Sequence, residues 1–324
     1  MRAVRCEGSG GPEVLVWGEA PDPRPGPAEL LVEVVSAGVN RADLLQRQGH
    51  YPPPPGASEL LGLECAGTVV EVGADVTGWQ VGDPCVALLA GGGYAERVAV
   101  PAGQVLPPPV GTDLVSAGGL VEVAATVVSN FDHARLVAGQ TVLVHGGAGG
   151  VGSFALQYAK ALGCRVLTTA GTADKRDYCR GLGADEAFDY AEDWSAAVRE
   201  AAPDGVDVVL DVMGAKYLEP NVGVLAADGH LLVIGMQGGR RGELDLGALL
   251  SRRGSVSALA LRSRPSAQKA AICARVREEV WPMLSSGDVR LAHETRIDMP
   301  EATRAHTLLE SGEHHGKIVL VVPR

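Results

Sequence analysis

"VLVHGGAGGVGSFALQYAKALG", residues 142–163, decides how this chain is read. Five glycines fall within positions 146–152, between an apolar run and an amphipathic one. Gly147, Gly149 and Gly152 fit G-x-G-x-x-G. In that pattern the first glycine permits a tight turn and the second lets a diphosphate approach the backbone. The third lets a helix pack close to the preceding strand. Val151, Ala155, Tyr158, Ala159 and Leu162 give the following segment one apolar face, as a helix lying on a sheet needs. The N–H groups at the start of such a helix suit an anion. The plainer reading is a flexible turn with no ligand. A fingerprint of this kind is informative only inside a run of βα units.

That run is present. From 141 to 260, strand candidates "TVLVH", "CRVLTT", "EAFDY", "VDVVLDV", "HLLVIG" and "SVSALAL" alternate with helix candidates at 151–162, 174–182, 194–201, 215–226 and 244–252. Six strands with intervening helices predict an open, doubly wound parallel sheet. A site for NAD usually carries an acid about 20 residues past the glycines, on the ribose hydroxyls. Here the second strand ends in Gly171 and Thr172, followed by Lys175 and Arg176. No acid repels a 2′-phosphate there, and Lys175 offers it a point charge, so NADPH is the expected cofactor. The competing reading of Lys175 is a solvated helix start.

Residues 1–115 read as β-rich, with short runs at 2–5, 29–35, 67–72, 84–90 and 95–100 separated by Gly and Pro clusters. After 262 come helices near 266–284 and 300–311, then the strand "KIVLVVP". That strand is too short to form a sheet alone and is expected to return to the first domain. The expected division is 1–117, 118–258 and 259–324, with the dinucleotide-type domain inserted between two parts of the other.

The net charge of 28 − 39 = −11 makes nucleic acid a poor partner, because an acidic globule repels phosphate backbones. No apolar run is long enough for a membrane span, and "MRAVRCEGSG" lacks a signal core, so a cytoplasmic protein is expected. Six scattered cysteines without a C-x-x-C pair argue against a disulfide framework and a thiolate zinc site.

"NRADLLQRQGHYPPPPGASELLGLECAG", "HGGAGGVG", "TAGTADK" and "GKIVLVVP" together resemble the zinc-independent quinone oxidoreductases of the medium-chain dehydrogenase/reductase superfamily. This is the zeta-crystallin-like group, and the chain is most similar to its tumour-suppressor-inducible type. The resemblance covers nearly the whole chain. It implies a GroES-like β-rich catalytic domain plus a Rossmann domain, an active site in the cleft between them, and a homodimer. It also implies a diphosphate over Gly149, Gly150 and Val151. Gly171, Lys175 and Tyr190 would surround the 2′-phosphate, Thr126 would lie near the nicotinamide, and Gly214, Gly235 and Met236 would line its other side. Val123 and Ala124 stand where relatives often carry a larger apolar or aromatic pair.

Zinc alcohol dehydrogenases of the same superfamily place a cysteine at the position of Asn40 and "GHE" where this chain has Gly62-Leu63-Glu64. Catalytic zinc needs three converging protein ligands, and at least two are lost, so no metal is expected. A carbonyl that takes hydride without a Lewis acid needs its charge spread, as a quinone or a conjugated enone spreads it. Hydrogen-bond donors then suffice. The candidates are Asn40, which can donate an amide hydrogen bond or cap the helix near Arg41, and Tyr51, which can donate a phenolic proton or simply pack. Asp43 can orient Asn40 or Arg41, or relay a proton. Arg262 or Arg264 can reach a phosphate or the acceptor, or remain a surface arginine. Gln46 and Gln48 have no assignment, and His314-His315 reads as a solvated pair. The expected activity is NADPH-dependent reduction of quinones, by hydride or by one electron at a time, with reduction of the C=C bond of α,β-unsaturated carbonyls as the alternative. An NADPH-binding structural protein is the alternative of another class.

Overall fold

A computed structural model describes residues 1–323. The chain forms two compact units. One holds residues 1–125, 261–287 and the chain from 291 onward; the other holds 126–260 and 288–290. The first boundary thus falls inside the helix Val121–His133, beyond the 117/118 step that the change in sequence pattern suggests.

The second unit contains β1 (Thr141–His145), β2 (Arg165–Ala170), β3 (Glu186–Asp189), β4 (Val206–Asp211), β5 (Leu225–Val233) and β6 (Ser255–Ala258). They form one sheet in the order β3-β2-β1-β4-β5-β6, and every neighbouring pair is parallel. This is the doubly wound dinucleotide-binding order, in which the strand order reverses between β1 and β4. Strands covered on both faces read as unbroken apolar runs. Val142, Leu143 and Val144 of β1 are all fully buried, as are Val208 and Val209 of β4. One face packs Leu143, Leu167, Val209 and Leu231 against Trp194, Val198, Tyr217 and Val222 from the helical layer. The helix read over 215–226 is shorter than its pattern suggests. It runs Leu218–Val224, and Leu225 already belongs to β5.

In the first unit the strand Glu29–Gly38 is the hub. It pairs antiparallel with Glu64–Val72, with Arg97–Pro101 and with Lys317–Val321. Lys317–Val321 in turn pairs in parallel with Glu294–Asp298, so the last strand completes the sheet that opens the chain. Leu30, Val32 and Val34 of the hub meet Leu44, Leu61, Val69, Ile297 and Leu320 in a single core. Glu294–Asp298, "ETRID", escaped the sequence reading because only one of its five residues is buried and its alternation is nearly all polar. Among the described residues, no helix is long and apolar enough to cross a membrane.

Candidate active site: a glycine-lined sheet edge and a buried polar knot

β1 ends at His145. Its ring contacts Thr169 Oγ1 at 3.0 Å and Asn221 Oδ1 at 2.7 Å, and burial pushes its pKa down to about 4. A neutral imidazole therefore fixes the strand end. The loop beyond it is closely packed. A Cβ on Gly147 would overlap Thr168 Oγ1, and one on Gly152 would overlap the Gly146 carbonyl oxygen. A Cβ on Gly149 would meet only Gly146 O, at an ordinary 3.5 Å, so the space above Gly149 is open. Gly149 is the N-cap of the helix Gly150–Ala161, and with no side chain it leaves the helix start uncapped. The first turn closes with the Ser153 N–H donating to Gly149 O at 2.8 Å. The Gly150, Val151 and Gly152 N–H groups lie ahead of that bond, where a helix leaves its donors to an outside acceptor.

Gly171 directly follows β2, and a Cβ there would overlap the Tyr190 phenol. Tyr190 itself, which follows β3, is 54% exposed. Thr172 caps the next helix by accepting from Lys175 N–H at 3.2 Å, which sets the half-buried Lys175 in the first turn. The acid at the end of β3, Asp189, is held below the usual carboxylate range by the Ala191 N–H and by Arg176, which donates to it at 2.6 Å. Arg176 is thereby engaged with Asp189, and Lys175 is the other base in this first turn.

At the end of β4, Asp211 accepts from Met213 N–H at 2.7 Å and Gly214 N–H at 2.9 Å, and burial pushes its pKa up to about 6. Gly214 has φ +72°, and a Cβ there would lie 2.8 Å from Gly239 O and 3.1 Å from Gly235 O. Met236, just past β5, is 51% exposed. Thr126 sits in the first described turns of the helix Val121–His133, where its carbonyl accepts from Asn130 Nδ2 at 2.8 Å. Gly147–Gly152, Gly171, Tyr190, Gly214, Gly235 and Met236 all follow carboxyl ends of parallel strands, so they share one edge of the sheet. A ligand of an open α/β sheet binds at that edge, by the switch point. Open N–H donors, bare glycines and two bulky exposed side chains there suit a dinucleotide, and Lys175 suits its 2′-phosphate.

The catalytic candidates lie in the first unit. Asn40 stands at the N-cap of the helix Arg41–Arg47, and its backbone N–H donates to Asp43 Oδ2 at 2.8 Å. Its side chain is committed elsewhere. Oδ1 accepts from Lys317 Nζ at 2.5 Å, while Nδ2 donates to Glu64 Oε1 at 3.0 Å and, weakly, to Gly38 O at 3.4 Å. Lys317 also pairs with Glu64 Oε1 at 2.7 Å, and Glu64 Oε2 accepts from Glu122 N–H at 3.0 Å. Asn40 is thus both a cap and part of a buried ionic knot.

Asp43 contacts Asn40, the first of the partners its sequence position offered it. It is fully buried and accepts from Asn40 N–H, Gly62 N–H (3.0 Å) and Tyr94 Oη (3.1 Å). Desolvation outweighs these donors and pushes its pKa up to about 6. A carboxylate enclosed in this way holds the Asn40 turn. Tyr51 differs: it is half-buried, and no described residue hydrogen-bonds its hydroxyl. Burial raises its pKa, opposed by Arg262. The Arg262 guanidinium lies 5.2 Å over the Tyr51 ring and donates to Ala90 O, Tyr51 O and Gln46 Oε1. Arg262 is therefore a clamp on the Tyr51 loop, and Gln46 gains a role as its acceptor.

Sequence reasoning missed Lys317 and Glu64. The available signal was a charge opening the apolar run "KIVLVV" and another inside "GLECAG". These residues do not fit zinc. Leu63 is buried and apolar, an ammonium sits between Asn40 and Glu64, and no group of three His, Cys, Asp or Glu among the described residues can hold a metal.

A doubly wound domain with a glycine-lined edge and a β-rich unit with a buried polar knot are the two parts of a medium-chain dehydrogenase/reductase. The family model for the alcohol dehydrogenase GroES-like domain matches residues 26–110, and that for zinc-binding dehydrogenase matches 150–274. The chain is 33% identical to a quinone oxidoreductase of Pseudomonas aeruginosa, over 99% of both chains. It superposes on the Escherichia coli quinone oxidoreductase complexed with NADPH with a TM-score of 0.89, at 28% identity, covering 99% of this chain and 100% of that one. A mycobacterial protein complexed with NADPH gives a TM-score of 0.90 at 32% identity, covering 99% and 100%. The chain belongs to the zinc-independent quinone oxidoreductase family of that superfamily.

Proposed function

We propose that this chain is an NADPH-dependent quinone oxidoreductase. The observation that carries the reading is the carboxyl edge of the parallel sheet, where open N–H groups stand at Gly150–Gly152 and a base, not an acid, follows β2. Gly149, Gly150 and Val151 hold the diphosphate, Lys175 with Gly171 and Tyr190 holds the 2′-phosphate, and Thr126, Gly214, Gly235 and Met236 line the remainder. Bound there, NADPH would supply a hydride, and a quinone that gains this hydride and one proton would become the hydroquinone.

The Tyr51 hydroxyl, unclaimed by any described residue, donates to the acceptor oxygen and stabilises the charge that grows on it. Arg262 keeps the phenol in place by stacking over it. Asn40 presents Nδ2–H, whose 3.4 Å bond to Gly38 O is weak enough to be exchanged for a substrate oxygen. Water returns the proton to Tyr51.

Two finer readings accompany this one. A homodimer forms along the β6 edge, supported by Leu246 and Leu250, exposed four residues apart on the helix Leu246–Ser251 next to it in sequence. The protein works in a reducing cytoplasm, supported by six free cysteines, five of them buried. Steady-state assay with ortho-quinones, para-quinones, alkenals and enones tests the activity. NADPH oxidation by quinones at rates above those for enones supports the reading. Turnover of a simple alkenal with none of any quinone replaces it with C=C reduction, and tight NADPH binding without turnover replaces it with a binding protein.

A further inference from the structure

Asn40 can serve an acceptor oxygen only if its amide is held one way round. An amide presents a donor on one side and an acceptor on the other, and the two are close to isosteric, so rotation about the last bond interchanges them. Lys317 is donor-only and the Glu64 carboxylate is acceptor-only. With Lys317 Nζ at 2.5 Å from Oδ1 and Glu64 Oε1 at 3.0 Å from Nδ2, just one orientation satisfies both neighbours. The three groups close into a ring, since Lys317 and Glu64 also pair at 2.7 Å.

The surroundings keep that ring rigid. Glu64 is fully buried and Lys317 is 6% exposed. A Cβ on Gly38 would overlap the Glu64 carboxylate and lie 2.8 Å from Lys317 Cε; one on Gly119 would lie 2.7 Å from Lys317 Cγ. Both glycines keep room for the knot. A buried ion pair of this kind is weak evidence for stability, because desolvation offsets most of the attraction. Its presence where apolar packing would serve as well asks for another reason.

We propose that Lys317 is a positioning residue for the reduction: with Glu64 it locks the Asn40 amide so that N–H, and not C=O, faces the acceptor oxygen. This rests on the quinone oxidoreductase reading. Without Lys317 the amide oxygen loses its donor and only the Glu64 carboxylate still favours the productive orientation, so the carbonyl turns toward the growing negative charge more often, which raises the barrier and leaves cofactor binding alone.

The test compares Lys317→Met, Lys317→Arg and the double variant Lys317→Met/Glu64→Gln with the parent chain. Each is read by quinone kcat and KM, NADPH dissociation constant and Tm. Lys317→Met is expected to lower kcat at least tenfold, with quinone KM within threefold and NADPH affinity unchanged. Lys317→Arg restores part of the lost kcat, because it remains donor-only. Lys317→Met also lowers Tm, since it strands a buried carboxylate. The double variant recovers Tm, having no unpaired charge, yet keeps the low kcat. Recovery of kcat together with Tm in the double variant overturns the inference, for it leaves a purely structural pair. So does a kcat within twofold of the parent in Lys317→Met. A parent chain that reduces no quinone and no enone overturns the proposed function, and this inference with it.

Discussion

Gly149 and Gly152 are three residues apart in one loop, and the structure assigns alanine opposite consequences at the two. At Gly149 the backbone is at φ −82°, open to any residue, and the added methyl meets one atom at 3.5 Å. Alanine is a poorer N-cap than glycine by several tenths of a kcal/mol, but it restricts the unfolded chain by about 0.4–1 kcal/mol. The two nearly cancel, so Gly149→Ala is expected to shift Tm by no more than about 2 °C. The same methyl fills the open space where the diphosphate is proposed to lie, and the expected rise in the NADPH dissociation constant is at least about tenfold, or 1.4 kcal/mol. At Gly152 the methyl overlaps Gly146 O and lies 2.7 Å from Gly147 Cα and 2.9 Å from Gly146 C, all of them backbone. No rotamer relieves that clash. Gly152→Ala is expected to cost about 1–3 kcal/mol of stability, the range for overpacking. Thermal melts with and without NADPH, alongside titration of NADPH fluorescence, separate the two. Unchanged NADPH affinity in Gly149→Ala would refute the placement of the diphosphate, and an unchanged Tm in Gly152→Ala would refute the packing argument.

Tyr51→Phe removes a hydroxyl that no described residue binds, so quinone kcat should drop roughly 10²-fold with Tm nearly unchanged, measured by steady-state kinetics and melting. Lys175→Ala should weaken NADPH about tenfold and leave NADH affinity as it was; equal effects on both would dismiss the 2′-phosphate assignment. Asp211 binds its proton more tightly when folded, with a pKa near 6 against 3.8. The folded state therefore holds more protons between those values, and this group's contribution is fully favourable below 3.8 and lost as pH rises through 6. Asp211→Asn should remove up to about 1.4 kcal/mol per pH unit of that fall, seen in urea titrations from pH 4 to 7. Leu250→Glu should shift a dimer toward monomer in sedimentation, with β6 and its sheet intact.

The strand–loop–helix at 142–163 and the βα alternation after it were legible because local patterns encode them. A parallel strand buried on both faces must be apolar throughout, and a helix on a sheet must keep one apolar face. Glycines forced by backbone contact, as at Gly147 and Gly152, also leave a fixed spacing. Tyr51 was legible as a candidate but not its clamp, since Arg262 reaches it from 211 residues away. The Asn40 amide is the sharpest case. Its own neighbours in sequence favour a helix cap, and it is one, yet the orientation of its side chain is set by Lys317, 277 residues on. Glu294–Asp298 was invisible for a related reason: a strand with one buried residue carries almost no hydrophobic signal, and only pairing with Lys317–Val321 makes it a strand.

The sequence by itself therefore determined the alternation of elements, the glycine loop and the exchange of an acid for a base after β2. Each of these is a constraint between residues close along the chain. The tertiary structure alone decided which polar groups neutralise one another: Lys317 with Glu64 and Asn40, Asp43 with Tyr94, and Arg262 over Tyr51. Buried polar atoms must find partners wherever the fold supplies them, and that matching has no local period to read.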